Sequence, residues 1–436
     1  MIIRLKGLII GASILLVSCS PLTKTRESYI AAYQSNDFDC AESLLDKTIQ
    51  KEIPEEKINR SANSVLLFAD RGCLKFTEGD TNGAIQDFQN AIDALDYYRD
   101  ITIIDTACQI LTQDDSAPFT GDDFEQLLIR IYFAMTLMQD GDYSNAYALL
   151  RQAEEWSQER MELYRKSPVT ASLKVYDNPL GKYLFAALLE KKGDLSNSRI
   201  LYEQTTAMTN GVIQPPDTNE NLATVLIINH NGNAPFKYTE FTDASQISLL
   251  ALEFFLGATN NQFCMSSIYG LPTPALAYYF NSDPMPTRLK VNSCQIPLLP
   301  IFDVDCARES ELKEKMPIVV ARGAARFILR RMLVASAGRQ DPMLGMACDI
   351  GMLVANVNTQ ADTRELSFLP RQFELARVDV EPGCTQVEIE VSSPFGPGRT
   401  THKLNLKSRD LAVIHIFNIH PGVTRILIPP HFQETL

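Results

Sequence analysis

The residue types that could do chemistry in this 436-residue chain are few and scattered. A strand-like apolar run, Leu222 to Ile228, ends in His230-Asn231-Gly232-Asn233. A Gly and Asn cluster at a strand end can hold a small ligand, or simply make a turn that needs positive φ with His230 at the surface. Arg322, Arg326 and Arg330, with Arg331, recur along one helical segment. Such a guanidinium row can grip phosphates or anionic glycan peptides, or pair with the chain's own carboxylates at Glu309–Glu314. Asp362 and Arg364 alternate on a stretch that reads as extended, so each is expected to face a distant charge and pin a junction between domains. Trp156, the sole tryptophan, sits among Glu154, Glu155 and Glu159. It is a candidate anchor for a protein partner, or packs half-buried against a neighbouring helix. His402, His415 and His420 have no carboxylate or cysteine at ligand spacing, so no metal is expected. There is no phosphate-binding loop, nucleophile elbow, HExxH or dinucleotide fingerprint. No catalytic residue and no cofactor are therefore assigned.

One residue has a more definite chemistry. Arg4 and Lys6 precede an apolar run, Leu8 to Val17, that is too short to span a bilayer. The run ends in Leu16-Val17-Ser18-Cys19, which resembles the bacterial lipobox. The resemblance implies a signal peptide over residues 1–18 and acyl chains on Cys19, enough for stable anchoring in a membrane. Ser20, where an Asp would imply retention at the inner membrane, implies the outer membrane and its periplasmic face. Eight further cysteines allow 105 pairings, among which sequence cannot choose. The net charge of −13 argues against nucleic acid as a partner, and against binding anionic headgroups by the chain as a whole.

The elements that must position these residues begin with a repeat. The turns Asn36-Asp37, Gly79-Asp80, Gly141-Asp142 and Gly193-Asp194 are each followed by a small residue, a large apolar or aromatic one and another small one. The sets are Ala41, Leu45, Thr48; Ala84, Phe88, Ala91; Ala146, Leu150, Ala153; and Ser198, Tyr202, Thr205. Small residues let two antiparallel helices approach, and the large one fills the next layer. The pattern resembles the tetratricopeptide repeat over residues 25–210, most clearly in 64–95. Its turn spacings of 43, 62 and 52 residues depart from the regular period of about 34 of that family. The resemblance implies a surface for other proteins, and an array of this kind is expected to fold and bind without a distant domain.

The composition changes at Gln214-Pro215-Pro216. The chain is expected to be a multi-domain α+β protein: a helical-repeat array over 19–210, a central α/β domain over 215–375, and a small β-sandwich over 376–436. In the central domain, Arg308–Met316 and Pro317–Ala337 read as two helices, the second starting at its proline with Ile318, Ala321, Ala325, Ile328, Met332 and Ala335 on its apolar face. Asp341–Val357 reads as a third helix, and Thr385–Val391 alternates as a strand. The segment Ala361-Asp362-Thr363-Arg364 with Leu369-Pro370 and Ala376-Arg377 resembles a poorly characterised family of bacterial envelope lipoproteins with N-terminal helical repeats. Its members are similar to proteins encoded beside lipoprotein activators of cell-wall synthases. That resemblance implies envelope work without assigning a reaction, and the leading reading is a non-enzymatic scaffold whose repeats dock envelope proteins in cell-wall assembly. The alternative is an envelope enzyme or glycan-binding protein with its site in 215–375.

Overall fold

The structure, a computed structural model, describes residues 21–99, 117–166, 177–241, 271–280, 282–357, 360–392 and 397–433. Cys19 lies outside them. The described α-helices of the first half form four antiparallel hairpins. They are α1 (Pro21–Gln34) with α2 (Phe38–Glu52), α3 (Ser64–Glu78) with α4 (Thr81–Arg99), α5 (Asp123–Asp140) with α6 (Tyr143–Lys166), and α7 (Pro179–Lys191) with α8 (Leu195–Met208). Each hairpin turns on one left-handed residue: Asn36, Gly79, Gly141 or Gly193, at φ of 65, 93, 90 and 85°. The Asp that follows each turn accepts a hydrogen bond from the N–H three residues on, at 3.0–3.2 Å, and so caps the second helix. All twelve positions of the repeat pattern are buried. Gly72 shows why the crossing demands small residues, because a Cβ there would come within 3.0 Å of the Phe88 ring.

The second half forms two stacked sheets. The first has the order β11-β10-β1-β7-β6, from β1 (Ala223–Asn231), β6 (Leu299–Asp303), β7 (Gln372–Val380), β10 (Leu411–His420) and β11 (Val423–Leu427). The second has the order β5-β4-β8-β9, from β4 (Thr287–Val291), β5 (Cys294–Ile296), β8 (Gly383–Val391) and β9 (Gly398–Leu406). A separate ribbon pairs β2 (Phe236–Phe241) with β3 (Pro272–Ala277). Strand β1 runs parallel to β10 and antiparallel to β7. Its residues alternate between two cores. Leu226 and Ile228, with Val413, Phe417, Phe373 and Leu375, pack under the helical array. Val225 and Ile227, with Ile414, Ile416, Leu289, Val387 and Ile389, pack between the two sheets. The continuous apolar runs of β1 and β10 follow from this, since both faces of each strand are covered. A fully buried Leu, Ile or Phe contributes about 1.5–3 kcal/mol, so the array and the sheet each depend on the other for their core.

Three expectations change. The boundary at 375/376 falls inside β7, and β1 of the expected central domain lies between β7 and β10, so 215–375 and 376–436 share one pair of sheets. The reason is non-local pairing, which local sequence does not encode. The helical array is not a free-standing solenoid either, because one of its faces forms a single core with the first sheet. Finally, 308–316 and 317–337 are parts of one 37-residue helix, α9 (Val304–Gln340), with Pro317 inside it. Proline costs one backbone bond but does not have to end a helix. α10 (Pro342–Val357) follows as expected. Among the described residues no helix is long and apolar enough to cross a membrane.

Candidate functional site

The segment 360–371, between α10 and β7, has no regular structure, yet Ala361, Arg364, Glu365, Leu366, Phe368, Leu369 and Pro370 are buried. It is a strap threaded between the helical array and the β-layers. Its backbone N–H groups cannot pair in a ladder there, so they must find other partners. Leu366 donates to Glu125 Oε1 at 3.1 Å, Ala361 to Thr239 Oγ1 at 3.2 Å, and Ser367 to Asp70 Oδ1 at 2.8 Å. The Thr363 carbonyl accepts from Arg26 at 2.8 Å. Phe368 lies on the rings of Tyr33 and Tyr29 of α1, at 4.4 and 5.7 Å between centroids.

Around the strap the chain buries a charge network. Glu365 is paired with Arg26 at 3.2 Å and with Arg308 at 3.3 Å, and accepts from the Lys237 N–H at 2.9 Å. Arg308 also meets Glu125 at 3.0 Å and donates to the Pro235 carbonyl. At the N-terminus of α5, Asp122 binds Lys237 at 2.6 Å and Lys315 at 3.2 Å. The Glu311 carboxylate accepts from the N–H groups of Asp123 and Phe124 at 2.7 and 3.3 Å, which suits an anion at a helix start. Asp123 in turn holds Arg160 at 3.1 Å and accepts from the Tyr164 hydroxyl at 2.6 Å. Burial alone would raise Asp122, but Lys237 and Lys315 hold its carboxyl below the usual range. Burial pushes Asp70 up to about 6 and Glu311 up to about 7.

Beneath α5 a second polar chain crosses the core. Tyr132 Oη is 3.1 Å from His230 Nδ1, and His230 Nε2 is 3.2 Å from His415 Nδ1. His230 stacks on Phe417 at 4.2 Å, and Phe76 sets its edge against His415 at 4.9 Å. Burial drives both imidazoles down, His415 to about 3, so both are neutral at pH 7. Between the sheets, Asn229 and Asn231 both donate to Glu374 Oε2 at 2.7 and 3.1 Å, and Asn418 bridges to Asn229 at 2.9 Å. Asn231 also closes a reciprocal pair with Met285, donating at 3.0 Å and accepting at 2.7 Å. These amides lock the ends of the parallel strands β1 and β10.

The residues singled out from sequence therefore take other roles. His230 is buried rather than at the surface, and it and Asn231 are consumed in these networks. Gly232 makes the positive-φ turn, at 73°, where a Cβ would strike the Ser282 carbonyl. Asp362 and Arg364 pair with each other at 2.8 Å. The Arg364 N–H bonds Asp362 Oδ1 at 3.0 Å, a local turn that brings both side chains together. Arg364 also donates to Asn63 and to the Ala117 carbonyl at 3.1 and 2.8 Å. Trp156 is buried with Leu127, Ala153 and Tyr164, between the guanidinium groups of Arg130 and Arg160 at 5.4 and 5.9 Å. It is closed to a partner, because those cations cover its faces. Arg326 is buried on α9, Arg322 is half-buried, and the side chain of Arg330 lies outside the described ones. Glu309 and Glu311 pair with Lys313 and Lys315.

Sequence reading missed Asp70, Glu125, Arg308 and Glu365, and weighed His415 only as a metal ligand. The signal was available for several of them, as a charge or imidazole inside an apolar run: Asp70 in VLLFADRGCL, Glu125 in DFEQLLI, His415 in LAVIHIF. Among the described residues no group of His, Cys, Asp and Glu is arranged to hold a metal.

No protein-family model matches the chain, and no curated protein matches it. Among solved structures, a thermophilic tetratricopeptide-repeat protein of Thermus thermophilus aligns with 43% of this chain and 91% of its own, at 12% identity and a TM-score of 0.21. The repeat character of the array rests instead on the four turns, caps and buried triplets described above.

Proposed function

We propose that the protein is a non-enzymatic, lipid-anchored scaffold of the bacterial envelope, held at the periplasmic face of the outer membrane through Cys19 and presenting its helical repeats to envelope proteins in cell-wall assembly. The lipobox-like Leu16-Val17-Ser18-Cys19 supports the anchor. The observation that carries the scaffold reading is the strap: the carboxylates, arginines and imidazoles grouped in the interior are spent on bonds that fuse the repeats to the sheets. A rigid body of this kind holds a surface at fixed geometry. The inner face of the array is covered by its own sheet and strap, so partners meet the outer helices α2, α4, α6 and α8. Ile200 and Leu163, exposed there, are the apolar points such a partner would cover.

The test follows the chain in cells fed a lipid label. The native chain enters the membrane fraction and takes up label, and Cys19→Ala abolishes both. Label-free chain, or membrane association unchanged in Cys19→Ala, would contradict the anchor.

A further inference from the structure

Where strand β1 ends, Gly232 lets other segments close in. A Cβ there would lie 2.5 Å from the Ser282 carbonyl oxygen and 3.2 Å from Arg371 Cβ. The Asn233 N–H donates to that carbonyl at 3.2 Å, and Asp283, the next residue, pairs with Arg371. The Arg371 carbonyl accepts from the Val304 N–H at 3.0 Å, which brings the first turn of α9 to the same point. Arg371 Nε then meets Asp305 Oδ2 at 2.6 Å, and its guanidinium lies over the Tyr278 ring, 4.8 Å from the centroid. Tyr278 is thus held by a cation on one face, yet it is 52% exposed.

The chain leaving β3 alternates. Tyr279 turns inward onto Phe236, at 4.6 Å between centroids, so Tyr278 and Phe280 on either side of it both face out. Phe280 is 88% exposed. Tyr97 apart, the exposed aromatic side chains among the described residues all belong to the β2–β3 ribbon or its exit: Tyr238, Phe241, Tyr278 and Phe280.

Flat rings beside a carboxylate–guanidinium–carboxylate chain suit one ligand chemistry. The C–H face of a sugar is slightly positive and stacks on the negative face of an aromatic ring. Sugar hydroxyls donate to carboxylates and accept from a guanidinium, and Asp283, Arg371 and Asp305 supply both beside Tyr278. Other occupants suit the place less well. Asp283, Asp303 and Asp305 outnumber Arg371, so an anion is repelled. Aspartate is depleted at protein–protein interfaces, where such rings would otherwise be anchors. We infer that Tyr278 and Phe280, with Asp283 and Arg371 beside them, form a binding platform for a neutral glycan chain. The rings carry the affinity, and the charged chain selects among hydroxyls. The platform depends neither on acylation at Cys19 nor on what the helical array binds.

The experiment uses residues 20–436, which contain every described residue and carry no acyl chain. Isothermal titration calorimetry follows chitohexaose, cellohexaose and maltohexaose, with a hexalysine peptide as the rival that the acidic rim would attract. At least one hexaose is expected to bind, with an affinity unchanged at high salt because the ligand is neutral. Phe280→Ala and Tyr278→Ala should each weaken it at least tenfold, while Tyr278→Phe, which keeps the ring, should retain it. Phe280 is too exposed for its loss to alter the melting temperature, so Phe280→Ala decides should Tyr278→Ala melt lower. Three results would overturn the inference: no hexaose binds, binding is indifferent to Phe280→Ala, or hexalysine alone binds.

Discussion

Asp70, in the middle of α3, holds Ser367 by both its backbone N–H and its hydroxyl, at 2.8 and 2.6 Å, across 297 residues of chain. The Tyr29 hydroxyl donates to the same carboxylate at 2.8 Å. One side chain thus ties two repeats to the strap. Replacing it with alanine leaves buried donors without an acceptor, each costing about 1–3 kcal/mol. Chemical denaturation of Asp70→Ala should show a loss of at least that size. Because burial raises Asp70 to about 6, the folded chain binds its proton more tightly than the unfolded chain does. Its contribution therefore falls as pH rises from about 4 to 6. The gap in stability between the native chain and Asp70→Asn should be larger at pH 4 than at pH 7.

Arg308 and Arg371 both carry two carboxylate partners, but in different surroundings. Arg308 is almost fully buried between Glu125 and Glu365, while Arg371 reaches Asp305 and the exposed Asp283. Removing one partner of a buried pair costs about 3–5 kcal/mol, because the remaining charges stay desolvated. Exposed pairs are worth about 0–1 kcal/mol. Arg308→Met should destabilise the chain several times more than Arg371→Met, by the same denaturation curves. Equal losses would mean that the strap network is not a desolvated core.

The imidazole of His415 predicts an opposite pH dependence to that of Asp70. Its folded value is depressed to about 3 from an ordinary value of about 6.5. The neutral form is the one the fold accepts, so its stability is fully present above about pH 6.5 and is lost as the pH falls towards 3. The loss approaches about 1.4 kcal/mol per pH unit. His415→Gln keeps a hydrogen-bonding group opposite His230 but cannot titrate. Its melting temperature should fall less than that of the native chain between pH 6.5 and 5. Parallel curves would show that the histidine is not buried neutral.

Ala84 sits where α4 crosses its partner, with no exposed surface. Ala84→Arg should cost about 1–3 kcal/mol by overpacking alone, and more through an unpaired buried charge. A melting temperature equal to that of the native chain would place the repeat register elsewhere.

The helical hairpins were legible in sequence because every signal for them is local. The left-handed residue, the capping Asp and the small-large-small triplet all lie within fifteen positions of one another. Strand β1 was legible for the same reason, as an apolar run. Its partnership with β10 was not, because parallel pairing between residues 223–231 and 411–420 is set by what covers both faces. The strap resisted reading for another cause. Glu365 looks like a surface charge, and only the converging Arg26 and Arg308 make it interior. Pro317 misled in the opposite direction, since proline marks helix starts more often than helix interiors.

The most direct test is the calorimetric unfolding of residues 20–436 beside that of residues 21–210. If the strap and the shared core make the repeats and sheets one unit, the longer chain melts in a single transition whose calorimetric and van't Hoff enthalpies agree. Asp70→Ala then lowers that whole transition, and residues 21–210 alone show no cooperative melting. Two transitions in the longer chain, one of them reproduced by residues 21–210 in isolation, would contradict it.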